Sequence, residues 1–552
     1  MLRETVRPWL IPLTAVVLVL GGAQGLRAQD AAGYTLRGTI VNSLTGQGVP
    51  RALVTLNEEY AVLTGGDGQF SIDHVPAGTY AATVSKPGYL GVGYSRHGSG
   101  HLMHDQPSPP EIVHVGPDVP DAKIALVPTA SIAGQISLST ADSADGIRIS
   151  IYRRQTNFGH ARWVMAGSAQ SRIDGTFHMA ELPPGSYMLA TSASLDNPNL
   201  AEMGPATTWG YPPAYYPGVT DPGAAGVITL AAGQQGEADI ALTHQQFFPV
   251  TAMIRASDMR MPGEFNVLDM GGHPTGLSAQ FDTTHGLVRA NLPNGSWILE
   301  GRGYGREMTW GRVEVHVASA PVTVALNMQS VPHIPVNVQR SFTSSTVSSS
   351  GPGVNLLLVS ADPFGTSSVS GGESAVPGSN GTAWQMNVAE PGRFWVEAST
   401  GGASYVSSIS SGGTDLASNP LVVEPGSTPA SIDVTLRDDG GGITGQLNTS
   451  TANAPGSTEA ADIAAQVTVY AIPQFPFVER LPQTRVGQDG TFSFTNLAPG
   501  SWRVVACDAP QDIDFHSPDA LAAWTGQGQT VTVEAGGTAH VTLDVTHVEA
   551  TP

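Results

Sequence analysis

The chain has 552 residues, more than one hydrophobic core usually organises, so several domains are expected. Charged residues are 13% of it, beside 65 glycines and 41 prolines; that balance excludes a mainly helical protein and suits short strands joined by turns. The formal net charge is −21 and Lys86 and Lys123 are the only lysines, which excludes the basic surface that nucleic acid or an anionic membrane requires.

Residues 1–28 read as a secretory signal peptide. Arg3 and Arg7 precede the apolar run Trp9–Leu20, and small residues follow, with cleavage after Ala28 or Ala23. The run is too short to span a bilayer comfortably. No cysteine follows it to carry a bacterial lipid anchor, and no later stretch is long and apolar enough to cross. The expected product is secreted, periplasmic or held at the cell surface, with no transmembrane segment after the signal is removed. The single cysteine, Cys507, allows no intramolecular disulfide, so stability must come from packing. Its place in a predicted strand marks it as a buried, inert thiol.

Beyond the signal, one phrase recurs. "DGQFSIDHVPAGTYAAT" starts at Asp67, "DGTFHMAELPPGSYMLA" at Asp174 and "DGTFSFTNLAPGSWRVV" at Asp489. Its turn glycine has counterparts at Gly78, Gly185, Gly295, Gly392 and Gly500. Two residues further on stands an aromatic: Tyr80, Tyr187, Trp297, Phe394 and Trp502. The copies lie about a hundred residues apart, a domain length. Asp-Gly suits a tight turn, Phe492 and Phe494 alternate with polar neighbours, and Pro-Gly turns the chain at the far end. The phrase therefore predicts strand–turn–strand, with aromatics filling a sandwich core and the aspartate serving the turn. Similar strands open each unit ("YTLRGTIVN", "ASIAGQISL", "GGITGQLN") and close it ("AKIALVP", "ADIALTH", "IDVTLRD").

The fold class expected is all-β, with about five tandem β-sandwiches: residues 29–128, 129–245, 246–329, 330–437 and 438–552. The third drifts, with Arg289 at the position of Phe494. The fourth is Ser/Gly-rich and lacks Asp-Gly, so either its loops are long or its sandwich is degenerate. Joins of only a few residues predict a semi-rigid, elongated string.

The stretch from Arg37 to Tyr89, "RGTIVNSLTGQGVPRALVTL…GGDGQFSIDHVPAGTYAATVSKPGY", resembles a carboxypeptidase regulatory-like domain, a prealbumin-like (transthyretin-like) β-sandwich often grouped with carbohydrate-binding-like folds. Unit two resembles it through "IDGTFHMAELPPGSYML" and Tyr215–Leu242, and unit five through "RVGQDGTFSFTNLAPGSWRVVA". The resemblance implies a fold and is nearly silent on activity; it does not make the chain a peptidase.

Chemistry is sparse. His178 and Glu181 have zinc-ligand spacing but lie inside the structural phrase. His97, His101 and His104, with Asp105 and His114, are the candidates for a metal, though their spacing matches no known motif and suits a polar loop equally. Neither a Gly-x-Ser-x-Gly elbow nor a phosphate-binding loop occurs. Trp209, Tyr211, Tyr215 and Tyr216 crowd the stretch "TTWGYPPAYYPG" and are the candidate ligand contacts, since aromatic faces stack on sugar rings; packing is the rival role. Three readings follow. The first is a non-catalytic exported scaffold, spacer or adhesion module. The second is a carbohydrate-binding protein using the aromatics of unit two. The third is a hydrolase with a scattered site. No catalytic residue or cofactor is assigned, and the partner class expected is carbohydrate or a cell-envelope protein.

Overall fold

The computed structural model describes residues 33–92, 110–196, 207–255, 263–343, 353–372, 381–448 and 467–546, less a few short gaps within them. The expected signal peptide and the candidates His97, His101 and His104 lie outside the described residues. Within them the regular structure is nearly all strand, with one α-helical turn, Pro518–Ala522, and one 3-10 turn, Pro222–Ala224. No helix among the described residues is long and apolar enough to cross a membrane.

One arrangement recurs five times. The opening strand Tyr34–Asn42 pairs antiparallel with Gln69–Val75 and parallel with the closing strand Ala122–Leu126. Ala130–Leu138 pairs in the same way with Thr176–Leu182 and with Gln235–Glu237 and Ile240–Leu242. Gln245–Arg255 does so with Leu287–Pro293 and Val322–Asn327. His333–Ser341 joins Gly381–Asn387 and Ile432–Arg437, and Gly441–Leu447 joins Thr491–Leu497 and Thr538–Leu543. A parallel pair needs a long crossover; here the crossover is the rest of the unit, so the first and last strands close each sandwich side by side. The Ser/Gly-rich stretch is not degenerate in its described part: it has this arrangement and its own buried cluster around Leu356, Leu358, Phe394 and Leu436.

The repeated phrase is strand–turn–strand, but its two strands do not pair with each other. Thr491–Leu497 belongs to the opening strand's sheet, whereas Gly500–Cys507 lies in the other sheet beside Thr468–Pro473. The turn thus carries the chain from one layer to the other. Its aromatic locks it: Trp502 Nε1 donates to the Ala498 carbonyl at 2.9 Å, Trp297 Nε1 to Pro293 at 3.0 Å and the Tyr80 hydroxyl to Pro76 at 2.9 Å. The Tyr187 hydroxyl bonds the Pro183 carbonyl likewise. A ring that fills the core and satisfies a turn carbonyl needs a polar tip, which explains Trp and Tyr at these positions. Four residues before the glycine, His74, Glu181 and Asn496 share φ near +60°, beside register shifts that mark a bulge. The Asp-Gly aspartates cap their turns: Asp67, Asp174 and Asp489 accept from the backbone N–H two residues on at 3.0–3.1 Å.

The elongated string is not what forms. Unit two touches units four and five, and unit five reaches back to unit one through Arg485 and Glu111 at 3.7 Å. The contacts of unit two with units four and five come from one long hairpin. Arg148–Asn157 and His160–Gln170 pair along their whole length, but the neighbouring strand Gly185–Thr191 covers only Ile149–Arg153. The outer half, about 13 Å at the usual rise per residue, has no partner in its own unit and leans on the others.

Candidate functional site

The aromatics singled out in unit two do not form one platform. Trp209 is 48% exposed and stacks on the His244 ring at 5.3 Å, while His244 pairs with Asp196 at 3.1 Å. Tyr211 is 5% exposed and its hydroxyl bonds Thr140. Tyr215 reaches the Pro274 carbonyl at 3.3 Å, and burial raises its phenol above the ordinary tyrosine value. Tyr216 packs against the unit-two core. His178 is exposed on its strand and Glu181 occupies the bulge. Cys507 is fully buried, and burial pushes its thiol up to about 12.

The structure brings together a different set where the hairpin tip meets units four and five. The His160 ring is sandwiched between Trp395 of unit four (4.2 Å, 13°) and His516 of unit five (4.1 Å, 4°). The backbone stitches the three units around it. Trp163 N donates to Pro363 O at 2.8 Å, His516 N to Gly159 O at 3.3 Å and Thr156 N to Asp512 Oδ2 at 2.8 Å. Arg162 Nη2 donates to the Ser360 and Gly365 carbonyls at 3.2 and 3.3 Å. Gly159 sits at φ +80°, and a Cβ there would lie 2.6 Å from the Phe515 ring, so only glycine lets the tip approach this closely.

Beside this stack lies a cleft of about 620 Å³, walled by Trp395, Phe475, Pro476 and Phe515 and edged by Ser418, Gln474, Asp514 and Ser517. A cavity of about 20 Å³, room for roughly one water, shares its His160, Ala161, Ala361, Pro363 and Trp395 walls and ends at Arg162, Asp362 and Glu397. Glu397 is 2% exposed and neither carboxyl oxygen has a hydrogen-bond partner. Burial pushes it up to about 8, against the pull of Arg162 and Arg480, so it is mainly uncharged at neutral pH. Burial, then His516 and Arg162, push His160 down to about 3, so that imidazole is neutral too.

Next to the cleft, two polar ties hold unit three to unit four. His273 lies between Asp269 (2.9 Å) and Asp362 (3.2 Å), whose hydrogen bonds push it up to about 10. Arg302 bridges Glu300 and Glu390, and Glu300, 1% exposed, also accepts from Trp310 and Arg312. These paired charges are structural. Among the described residues no group of three or more His, Cys, Asp or Glu side chains could hold a metal ion.

The molecule is a multi-unit β-sandwich protein, and residues 35–97, within its first unit, match the model of the carboxypeptidase regulatory-like domain. A stretch of 106 residues is 28% identical to BOS complex subunit NOMO1 of Mus musculus and of Homo sapiens. It covers 19% of this chain and 7% of each relative, so the match spans a small part of those proteins. Among solved structures, a streptococcal ancillary pilin aligns over 54% of this chain and 99% of its own at 11% identity, with a TM-score of 0.19. GBS52, the minor pilin of Streptococcus agalactiae, aligns over 42% and 100% at 10% identity, with a TM-score of 0.20.

The cleft was not visible in the sequence as a site. Its residues come from three units and share no spacing.

Proposed function

We propose that this chain is a non-catalytic exported scaffold: about five β-sandwich units, at 29–128, 129–245, 246–329, 330–437 and 438–552, folded against one another. The observation that carries this reading is the five-fold recurrence of one pairing, opening strand antiparallel to the repeated phrase and parallel to the closing strand, in units that also contact non-neighbours. Export rests on Arg3, Arg7 and the Trp9–Leu20 run, and places the protein in the periplasm, at the cell surface or outside the cell. The motif aspartates serve turns and Glu181 a bulge, which supports a structural rather than catalytic use of the repeat.

Folding back takes away the reach a spacer would need and turns the scaffold into a platform with clefts between units. Small-angle scattering tests this. A radius of gyration near the compact limit of about 24 Å is expected. Sandwiches strung end to end would extend on the order of 100–200 Å, and a profile of that length would overturn it. N-terminal sequencing should find the mature chain starting near Gln29. A second reading, carbohydrate binding, is favoured by the exposed Trp209 face and by the aromatic walls of the cleft.

A further inference from the structure

The geometry points to the cleft between units two, four and five as a binding site for an uncharged, ring-shaped polyhydroxy ligand, a neutral saccharide, with one hydroxyl of the ring reaching the buried Glu397 carboxyl. This deepens the carbohydrate-binding reading and moves it away from the Trp209 stretch.

Three observations lead there. The cleft volume, about 620 Å³, lies in the range that holds small ligands. Its walls pair the apolar faces of Trp395 and Phe475 with polar edges at Gln474, Asp514 and Ser517. A sugar ring presents the matching surface, C–H groups on its faces and hydroxyls round its rim. At the inner end, a cavity for about one oxygen atom abuts a carboxyl group buried with no partner on either oxygen. Leaving such a group unpartnered is unfavourable, and a native site that does so has a reason.

The charges decide the ligand class. A phosphate or carboxylate would meet the Asp362 and Asp514 carboxyl groups at the cleft. An ammonium entering the inner cavity would meet the Arg162 guanidinium, fixed on the Ser360 and Gly365 carbonyls, with Arg480 also acting on Glu397. A hydroxyl both donates and accepts, so it suits the carboxyl in either protonation state.

The test uses the full mature chain and a panel of glucose, galactose, N-acetylglucosamine and their β-linked dimers, with glucuronate and glucosamine as charged controls. Binding is followed by titration calorimetry and tryptophan fluorescence. At least one neutral sugar should bind and perturb the fluorescence. Glu397→Leu, which removes a buried carboxyl without opening a cavity, should keep the melting temperature and weaken binding at least tenfold; Trp395→Ala should weaken it similarly. Trp209→Ala should leave it unchanged. Binding that survives Glu397→Leu but is lost in Trp209→Ala would overturn the cleft while keeping the carbohydrate reading. Tighter binding of a charged control would overturn the ligand class. No binding by any panel sugar would overturn both, leaving the scaffold to stand or fall on its scattering profile.

Discussion

Units one and two build the same hairpin in the same place and use it differently. In unit one, Leu53–Leu56 and Tyr60–Leu63 are four residues each, and the first pairs along its length with Gly78–Ser85. In unit two, Arg148–Asn157 and His160–Gln170 have ten and eleven residues, roughly twice what the neighbouring strand covers. The short hairpin ends where its sheet ends. The long one carries Gly159, His160 and Arg162 into two other units. The sandwich tolerates both because the excess lies beyond the core: Ile149 and Ile151 are buried in unit two much as Val54 and Leu56 are in unit one. A repeat can thus keep its core and acquire a contact by lengthening one exposed element.

The largest effect expected from breaking this division is in a core. Trp502 is fully buried, with edge-on contacts to Phe475 (5.1 Å) and Phe477 (5.4 Å). Trp502→Ala should destabilise unit five by roughly 3–5 kcal/mol, seen as one early calorimetric transition while the others hold. A loss under about 1 kcal/mol would show the recurring aromatic to be dispensable.

Giving unit two the hairpin of unit one sharpens the comparison next. Replacing residues 154–163 by Asn-Gly, which suits a two-residue turn between the paired Arg153 and Val164, should leave unit two folded. It should also raise the radius of gyration by several ångströms. An unchanged profile would mean that the long hairpin follows the packing of the units rather than causing it.

A smaller, pH-dependent effect should belong to the junction alone. Glu397 in the fold holds its proton up to about 8, whereas an exposed glutamate loses it near 4.5. The folded state therefore binds more protons between these values, and stability falls as pH rises across that window. Glu479, pushed up to about 7 by burial, acts in the same direction, while His160, held near 3, acts oppositely below its ordinary 6.5. The difference between wild type and Glu397→Gln isolates the first group. The variant should gain melting temperature relative to wild type at pH 8.5 and little at pH 4.5; equal gains at both would place Glu397 in contact with water. Smallest of all, Asp489→Ala removes the exposed turn bonds to Thr491 N and Oγ1 and should lower the unit-five melting temperature only slightly, as calorimetry would show.

The sequence by itself determined the all-β class, the strand–turn–strand phrase and the turn role of its aspartates. Each rests on contacts within a few residues or on an alternation repeated at a fixed distance, so local spacing expresses it. That alternation does not say which sheet each strand joins. The crossing of Pro-Gly between layers, the bond from Trp502 to Ala498 and the parallel pairing of first and last strands appear only when the unit closes. The string of units expected from the short joins failed for the same reason: join length limits how far units can separate, but not whether their surfaces meet. His160, Trp395, Glu397 and His516 became neighbours only through the tertiary structure. Their contacts span three units, and no periodicity of the chain records a meeting between residues more than two hundred positions apart.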